Sequence, residues 1–321
     1  MLKWLKKGVA PSADGQDTAR GKDWLVALSP LLLMMVVNYR WPAVWAVLTA
    51  AAGYLAVTVG WHQLGLMPRR VVPALVCGVL VAACLPAGAP FWVAATAGLF
   101  AAVVAVVPAL VNRLAKRDVL SCPVFFPALS GYLLVRWLFP THFVVYTLPL
   151  MWERVDTVAA ATPLAGLANP DVAAPLPQLF WGFEAGSMGN GPAAAALFGL
   201  AYLVLCRRVQ VLSPVAMGGV VFLLSWMCWG APTYALLAGG TLLAVVLVGD
   251  EGFVHVGWKG RLVAGATAGA VTVWLRQRYG VDGSALGLLL AGALTPVLHV
   301  SYHGLCRFIR FLREKFAKSE N

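Results

Sequence analysis

Apolar stretches of about 16–23 residues recur along this chain, close to the roughly 20 that a helix needs to cross bilayer hydrocarbon. A transmembrane barrel would instead alternate polar and apolar positions in strands of about ten residues, so helices do the spanning. Composition agrees. Of the 321 residues, 60% are hydrophobic and 12% charged, against roughly 45–50% and about 25% in a soluble domain. The expected fold class is all-α integral membrane, with apolar segments at about 24–38, 41–63, 70–87, 90–110, 122–139, 193–206, 212–230, 232–249, 261–277 and 283–302. Pro42, Pro73, Pro90 and Pro214 fall at or near segment starts, where a missing N–H is tolerated, and Gly-Ala-Pro at 88–90 and 230–232 marks two tight reversals.

The net charge of +11 calls for no nucleic acid, because the basic residues sit in short loops between apolar segments. Placing the N-terminus inside puts 19 of the 24 Lys and Arg on the cytoplasmic side, leaving Arg40, Arg136, Arg154, Arg276 and Arg278 outside. Both termini are therefore expected in the cytoplasm. The expected organisation is a basic N-terminal tail over 1–23, a five-helix half over 24–139, an outer loop over 140–192, a second five-helix half over 193–302 and a basic C-terminal tail over 303–321. An odd number of spans per half means that the halves, if repeats, are inverted in the membrane, as in many transport folds.

Candidate chemistry outside the loop is sparse. Cys77, Cys84, Cys122, Cys206, Cys228 and Cys306 form no C-x-x-C pair and read as small buried apolar residues, not iron–sulfur or zinc ligands. His299 and His303 stand four apart without the E-x-x companion of a metal helix, so no metal is expected. Asp250 and Glu251 read either as a solvated helix end or as the cytoplasmic mouth of a cation pathway, and His299 is a third candidate for that pathway because it titrates near neutral pH. The Gly186-Ser187-Met188-Gly189-Asn190-Gly191 string precedes a helix. It offers backbone N–H groups to a phosphate or makes a re-entrant turn between close helices, the second reading being slightly favoured. The Arg307–Lys318 run suits a helix on anionic lipid.

Within the outer loop stands Val155-Asp156-Thr157-Val158-Ala159-Ala160-Ala161-Thr162-Pro163-Leu164. Alone it is an ordinary polar turn. Its spacing resembles the flavinylation string D-x-x-S-G-A-T-x-L of the RnfD/NqrB family. Four further stretches resemble the same family in the same order: the Gly78–Pro86 string, Val124-Phe125-Phe126-Pro127-Ala128-Leu129, the block from Gly182 to Leu203, and the run from Gly260-Arg261 through Thr272-Val273-Trp274-Leu275-Arg276 to Thr295-Pro296. The 23-residue N-terminal tail favours RnfD over NqrB, which carries a longer extension.

The resemblance implies a membrane subunit of an Rnf-type ion-translocating electron-transport complex, inactive alone, in the bacterial inner membrane. It implies covalent FMN as a phosphoester on Thr162, with Asp156, Ala161 and Leu164 completing the string read by a flavin transferase. Gly186 and Ser187 become candidate flavin contacts, riboflavin a candidate second flavin, and the other subunits and membrane lipid the expected partners. Departures fall at polar positions: Ala159 and Ala160 replace Ser and Gly, Phe126 replaces Asn, Asn190-Gly191-Pro192 replaces Glu-Thr-Ser, and His299 replaces Asp. They leave two readings inside the family, a flavin subunit with altered ion coupling or a flavin-free assembly scaffold. A secondary transporter or channel of the same architecture is the reading outside it.

Overall fold

A computed structural model describes residues 11–63, 71–115, 125–144, 146–149, 164–169, 173–250, 258–279 and 283–293. The described residues form helices and short turns, joined by two isolated β-bridges. In the first half α1 spans Pro11–Tyr39, α2 Trp41–Gln63, α3 Val71–Cys84, α4 Phe91–Ala115 and α5 Phe125–Leu138. Two short helices, α6 (Ala165–Ala168) and α7 (Leu176–Trp181), lie in the connection. The second half holds α8 (Ala193–Leu205), α9 (Leu212–Trp229), α10 (Pro232–Leu237), α11 (Thr241–Val248), α12 (Trp258–Tyr279) and α13 (Ser284–Ala293).

Among the described residues, the helical stretches Ala19–Tyr39, Trp41–Gln63 and Leu212–Trp229 are long and apolar enough to cross a membrane, and several others are apolar but shorter. This is an all-α membrane protein. Two boundaries differ from the sequence reading. The first helix begins at Pro11, inside the stretch read as a tail, because Pro is tolerated in a first turn and no β-branched run follows it. The apolar segment at 232–249 is two helices, broken at Gly239 and Gly240, whose φ angles of 63° and 70° lie in the left-handed region.

Packing in one half recurs in the other. The most extensive interface in the first half is α2 on α4, and in the second it is α9 on α12. Each depends on glycine. A Cβ at Gly98 of α4 would strike the backbone carbonyl of Ala50, and one at Gly265 of α12 would strike that of Ser213, so backbones meet where side chains would hold them apart. The halves join where α1 packs on α8, with α3 on α1 and α11 on α8 beside that seam. A small cavity of about 10 Å³, lined by Trp24, Leu28, Leu31, Ala196, Gly199 and Val246, lies along it. Its volume is about that of a single water, too small for a flavin ring, and its lining is apolar.

Two ion pairs close one end of the seam. Arg20 of α1 pairs with Asp250 just beyond α11, and Asp23 of α1 accepts from Arg208 just beyond α8 at 2.5 Å. Charge counting assigns Arg20 and Arg208 to one side of the membrane, and the structure brings them to one end of the bundle.

Candidate functional site

The broken helix α10–α11 organises the opposite end. A short helix leaves its last carbonyls without intrahelical donors, and within a bilayer no water is present to satisfy them. Arg276, in the last turn of α12, supplies the donors. Its Nη1 donates to the Ala235 carbonyl at 2.9 Å, and Nη2 lies 3.2 Å from the Ala238 carbonyl, 3.1 Å from that of Gly239 and 2.7 Å from Thr241 Oγ1. Ser284 Oγ, at the start of α13, donates to the same Gly239 carbonyl at 3.2 Å. The guanidinium is buried, with Arg276 5% exposed. A buried charge is expensive unless hydrogen-bonded, and each carbonyl left unsatisfied would cost about 1–3 kcal/mol.

The outer connection docks onto this turn. Leu164 is the last residue of the Asp156–Leu164 string. Its Cδ2 and Cδ1 lie 2.9 and 3.1 Å from the point where a Cβ on Gly239 would stand, and Arg276 Nη2 lies 2.9 Å from that point. The left-handed φ of 63° favours glycine there, and a Cβ would push the ends of both side chains aside. Asn190 fills the equivalent place at Gly240. Leu167 and Leu179 of the connection are buried with Tyr234, Ala235 and Ala238, and Leu164 and Ala174 pack against them. Tyr234 Oη accepts from the Ala174 N–H at 3.3 Å, and a Cβ on Gly166 would strike the same hydroxyl. The connection is thus held to α10 at two places two residues apart, Leu164 and Gly166.

The Gly-rich string meets the end of α3. Met188 N–H donates to Leu85 O at 3.0 Å and Gly189 N–H to Ala83 O at 2.8 Å, while Asn190 N–H bonds back to Ser187 O at 3.1 Å. Ser187 bridges Pro86 and is buried; a Cβ on Gly186 would meet open space. Three consecutive donors that a phosphate could use therefore serve protein carbonyls, which is the geometry of a re-entrant turn. Asn38, at the end of α1, donates to Gly182 O at 3.2 Å and ties this turn to the seam. Glu184, half-buried between them, has its carboxyl pKa raised above the usual value by desolvation.

Of the residues singled out in the sequence, Leu164, Gly186, Ser187 and Asp250 lie among the described residues, and Asp156, Ala161, Thr162, Glu251 and His299 lie outside them. Asp250 is no solvated helix end: it is 3% exposed and paired with Arg20. Among the described residues no group of three His, Cys, Asp or Glu is placed to hold a metal ion. Sequence reasoning missed the Arg276 network: an Arg ending an apolar stretch and Gly239-Gly240 interrupting another are both visible, but nothing in the sequence pairs them.

Comparison with known proteins gives the family. The sequence profile of the NQR2, RnfD, RnfE family matches residues 13–303. The chain belongs to this family. Its relatives within it include the D component of the proton-translocating ferredoxin:NAD(+) oxidoreductase complex of Clostridium ljungdahlii, 26% identical over 85% of this chain and 86% of that protein. The D component of the ion-translocating oxidoreductase complex of Citrobacter koseri is 25% identical over 85% and 90%. That of the Na(+)-translocating ferredoxin:NAD(+) oxidoreductase complex of Acetobacterium woodii is 28% identical over 70% and 69%.

Proposed function

We propose that this family member is the RnfD-type component of an ion-translocating oxidoreductase complex, and that it carries FMN as a phosphoester on Thr162. The observation that carries the first part is likeness over nearly the whole chain to proteins named as the D component of such complexes. The second rests on the Asp156–Leu164 string and on the seating of its last residue against Gly239. The protein would sit in a bacterial inner membrane with both termini cytoplasmic. It would work only with its companion subunits and membrane lipid around it, after maturation by a flavin transferase.

Residues near the string suit an attachment site. Modification needs a hydroxyl that an enzyme can reach, and Thr162 stands two residues before a fixed point of the fold. In the transfer, Thr162 Oγ bonds to the flavin-side phosphorus of a flavin dinucleotide, the phosphoanhydride bond breaks, AMP leaves and the hydroxyl proton passes to a base of the transferase. Bound FMN supplies one-electron exchange with an iron–sulfur or flavin neighbour and two-electron exchange with a nicotinamide. Gly186, where a Cβ would meet open space, is retained as a flavin contact, whereas Ser187 is buried within the turn and the neighbouring N–H groups are engaged.

The test is in-gel flavin fluorescence of the denatured chain after expression with a flavin transferase. The wild type is expected to fluoresce and Thr162→Ala to be dark. A dark wild type beside a fluorescing control flavoprotein would mean that Ala159 and Ala160 have abolished modification, and the scaffold reading would replace this one.

A further inference from the structure

We propose that Arg276 is a positioning residue for the modification of Thr162: by holding the 235–241 turn it fixes the seat of Leu164 and so presents the string to the transferase. The inference rests on the reading of Thr162 as the attachment point. Three observations lead to it. Arg276 binds the carbonyls of Ala235, Ala238 and Gly239 and the Thr241 hydroxyl, and so sets the conformation of the turn from a neighbouring helix. Leu164 and Arg276 both border the Cβ-less face of Gly239, so movement of either is felt by the other. Leu164 is joined to Thr162 by two peptide units, which limit their Cα separation to about 7 Å.

The physical effect is on the cost of recognition. A transferase that orders a peptide on binding loses affinity to the backbone entropy of each residue it fixes. Fixing one end of the string beforehand lowers that cost without touching the bond that forms. Arg276 itself has no part in the transfer: its Nη atoms face protein carbonyls and a hydroxyl. The chemistry stays the one already given, in which Thr162 Oγ displaces AMP from a flavin dinucleotide. A second clip, where Gly166 packs on Tyr234 and Ala174 N–H bonds its hydroxyl, holds the residues after Leu164 independently of Arg276.

The experiment uses the full chain, purified unmodified in detergent, then incubated with limiting flavin transferase and FAD, with covalent flavin read by in-gel fluorescence at several chain concentrations. Arg276→Gln is expected to lower kcat/KM for flavinylation at least tenfold, mostly through KM. Leu164→Ala is expected to act in the same direction, and the double variant to be no worse than the poorer single one. Arg276→Lys should recover part of the loss and Arg278→Gln, two residues along the same turn, should match wild type. Size-exclusion profiles establish which variants are folded. Where Arg276→Gln does not fold, Gly239→Ala decides, since its Cβ would displace the Leu164 side chain from outside the string that the transferase reads. Wild-type kcat/KM in folded Arg276→Gln, or in folded Gly239→Ala, would overturn the inference while leaving Thr162 as the attachment point. A dark wild type or a fluorescent Thr162→Ala would defeat the attachment reading, and the role of Arg276 with it.

Discussion

Glu184 shows how a single side chain reports its surroundings. It is half-buried beside the Gly-rich turn, and desolvation raises its pKa, so the folded chain binds that proton more tightly than the unfolded chain does. Below about pH 4 both states are protonated and the residue has no effect on stability. As pH rises from the unfolded pKa through the folded one, the ionised carboxylate carries a burial penalty that the unfolded chain lacks, and the folded state is weakened. Glu184→Gln should therefore melt about 1 °C above the parent at neutral pH, the small size reflecting a carboxyl that keeps much of its hydration. Thermal scans of both proteins across pH check this, and a difference that persists or grows on acidification would rule it out. At this scale the sequence was legible only in part from residue type alone, as for the cysteines: Cys77 and Cys84 are buried as expected, whereas Cys206 and Cys228, read as buried too, are exposed at helix ends. It was not legible for Arg276. Charge counting assigned that residue to an outer loop, because nothing in a linear string shows that three carbonyls 37–41 positions away will face its guanidinium.

Elements are joined here by a few polar contacts set among many apolar ones, and the ion pairs of α1 are the clearest instance. Asp250 is fully buried at its side chain and Arg20 keeps 21% of its own exposed. Removing one partner of a buried pair leaves the other charge uncompensated, at about 3–5 kcal/mol, and the exposure of Arg20 places this case near the low end. Asp250→Asn should thus destabilise the chain by about 3 kcal/mol, while Arg20→Gln combined with it should cost less than the two single changes added. Denaturation in detergent measures the cycle, and strict additivity would show that the pair does not couple α1 to α11. The break between α10 and α11 marks the limit of periodicity at this scale. An unbroken apolar run from 232 to 249 reads as one helix, and only the left-handed pair Gly239-Gly240 betrays the interruption. The reversals at 88–90 and 230–232 were legible because Gly and Pro act through local sterics, with Gly230 left-handed at the end of α9.

Sidedness belongs to the whole molecule, and the packing pattern gives it a sharp form. Arg20, Asp23, Arg208 and Asp250 gather at one end of the α1–α8 seam, whereas Arg276, Leu164 and the Gly-rich turn gather where α10 meets the connection. Residue counting could order these ends because a membrane forces every loop to one side or the other, but the repetition of packing between halves that share no evident sequence identity came only from helix contacts and the close approach of glycines to neighbouring backbones. Two exposed cysteines report on the two ends. Cys206 follows α8 beside Arg207 and Arg208, and Cys228 closes α9 near the turn before α10. Excess Lys and Arg stay on the cytoplasmic face, so the Cys206 end should face inward and the Cys228 end outward. In single-cysteine versions, a membrane-impermeant thiol reagent applied to intact cells with a permeabilised outer membrane should modify Cys228 at least tenfold faster than Cys206, and inverted inner-membrane vesicles should reverse the order. The opposite ranking would turn the whole bundle over, putting the Leu164 seat in the cytoplasm and with it the face from which a transferase must approach Thr162.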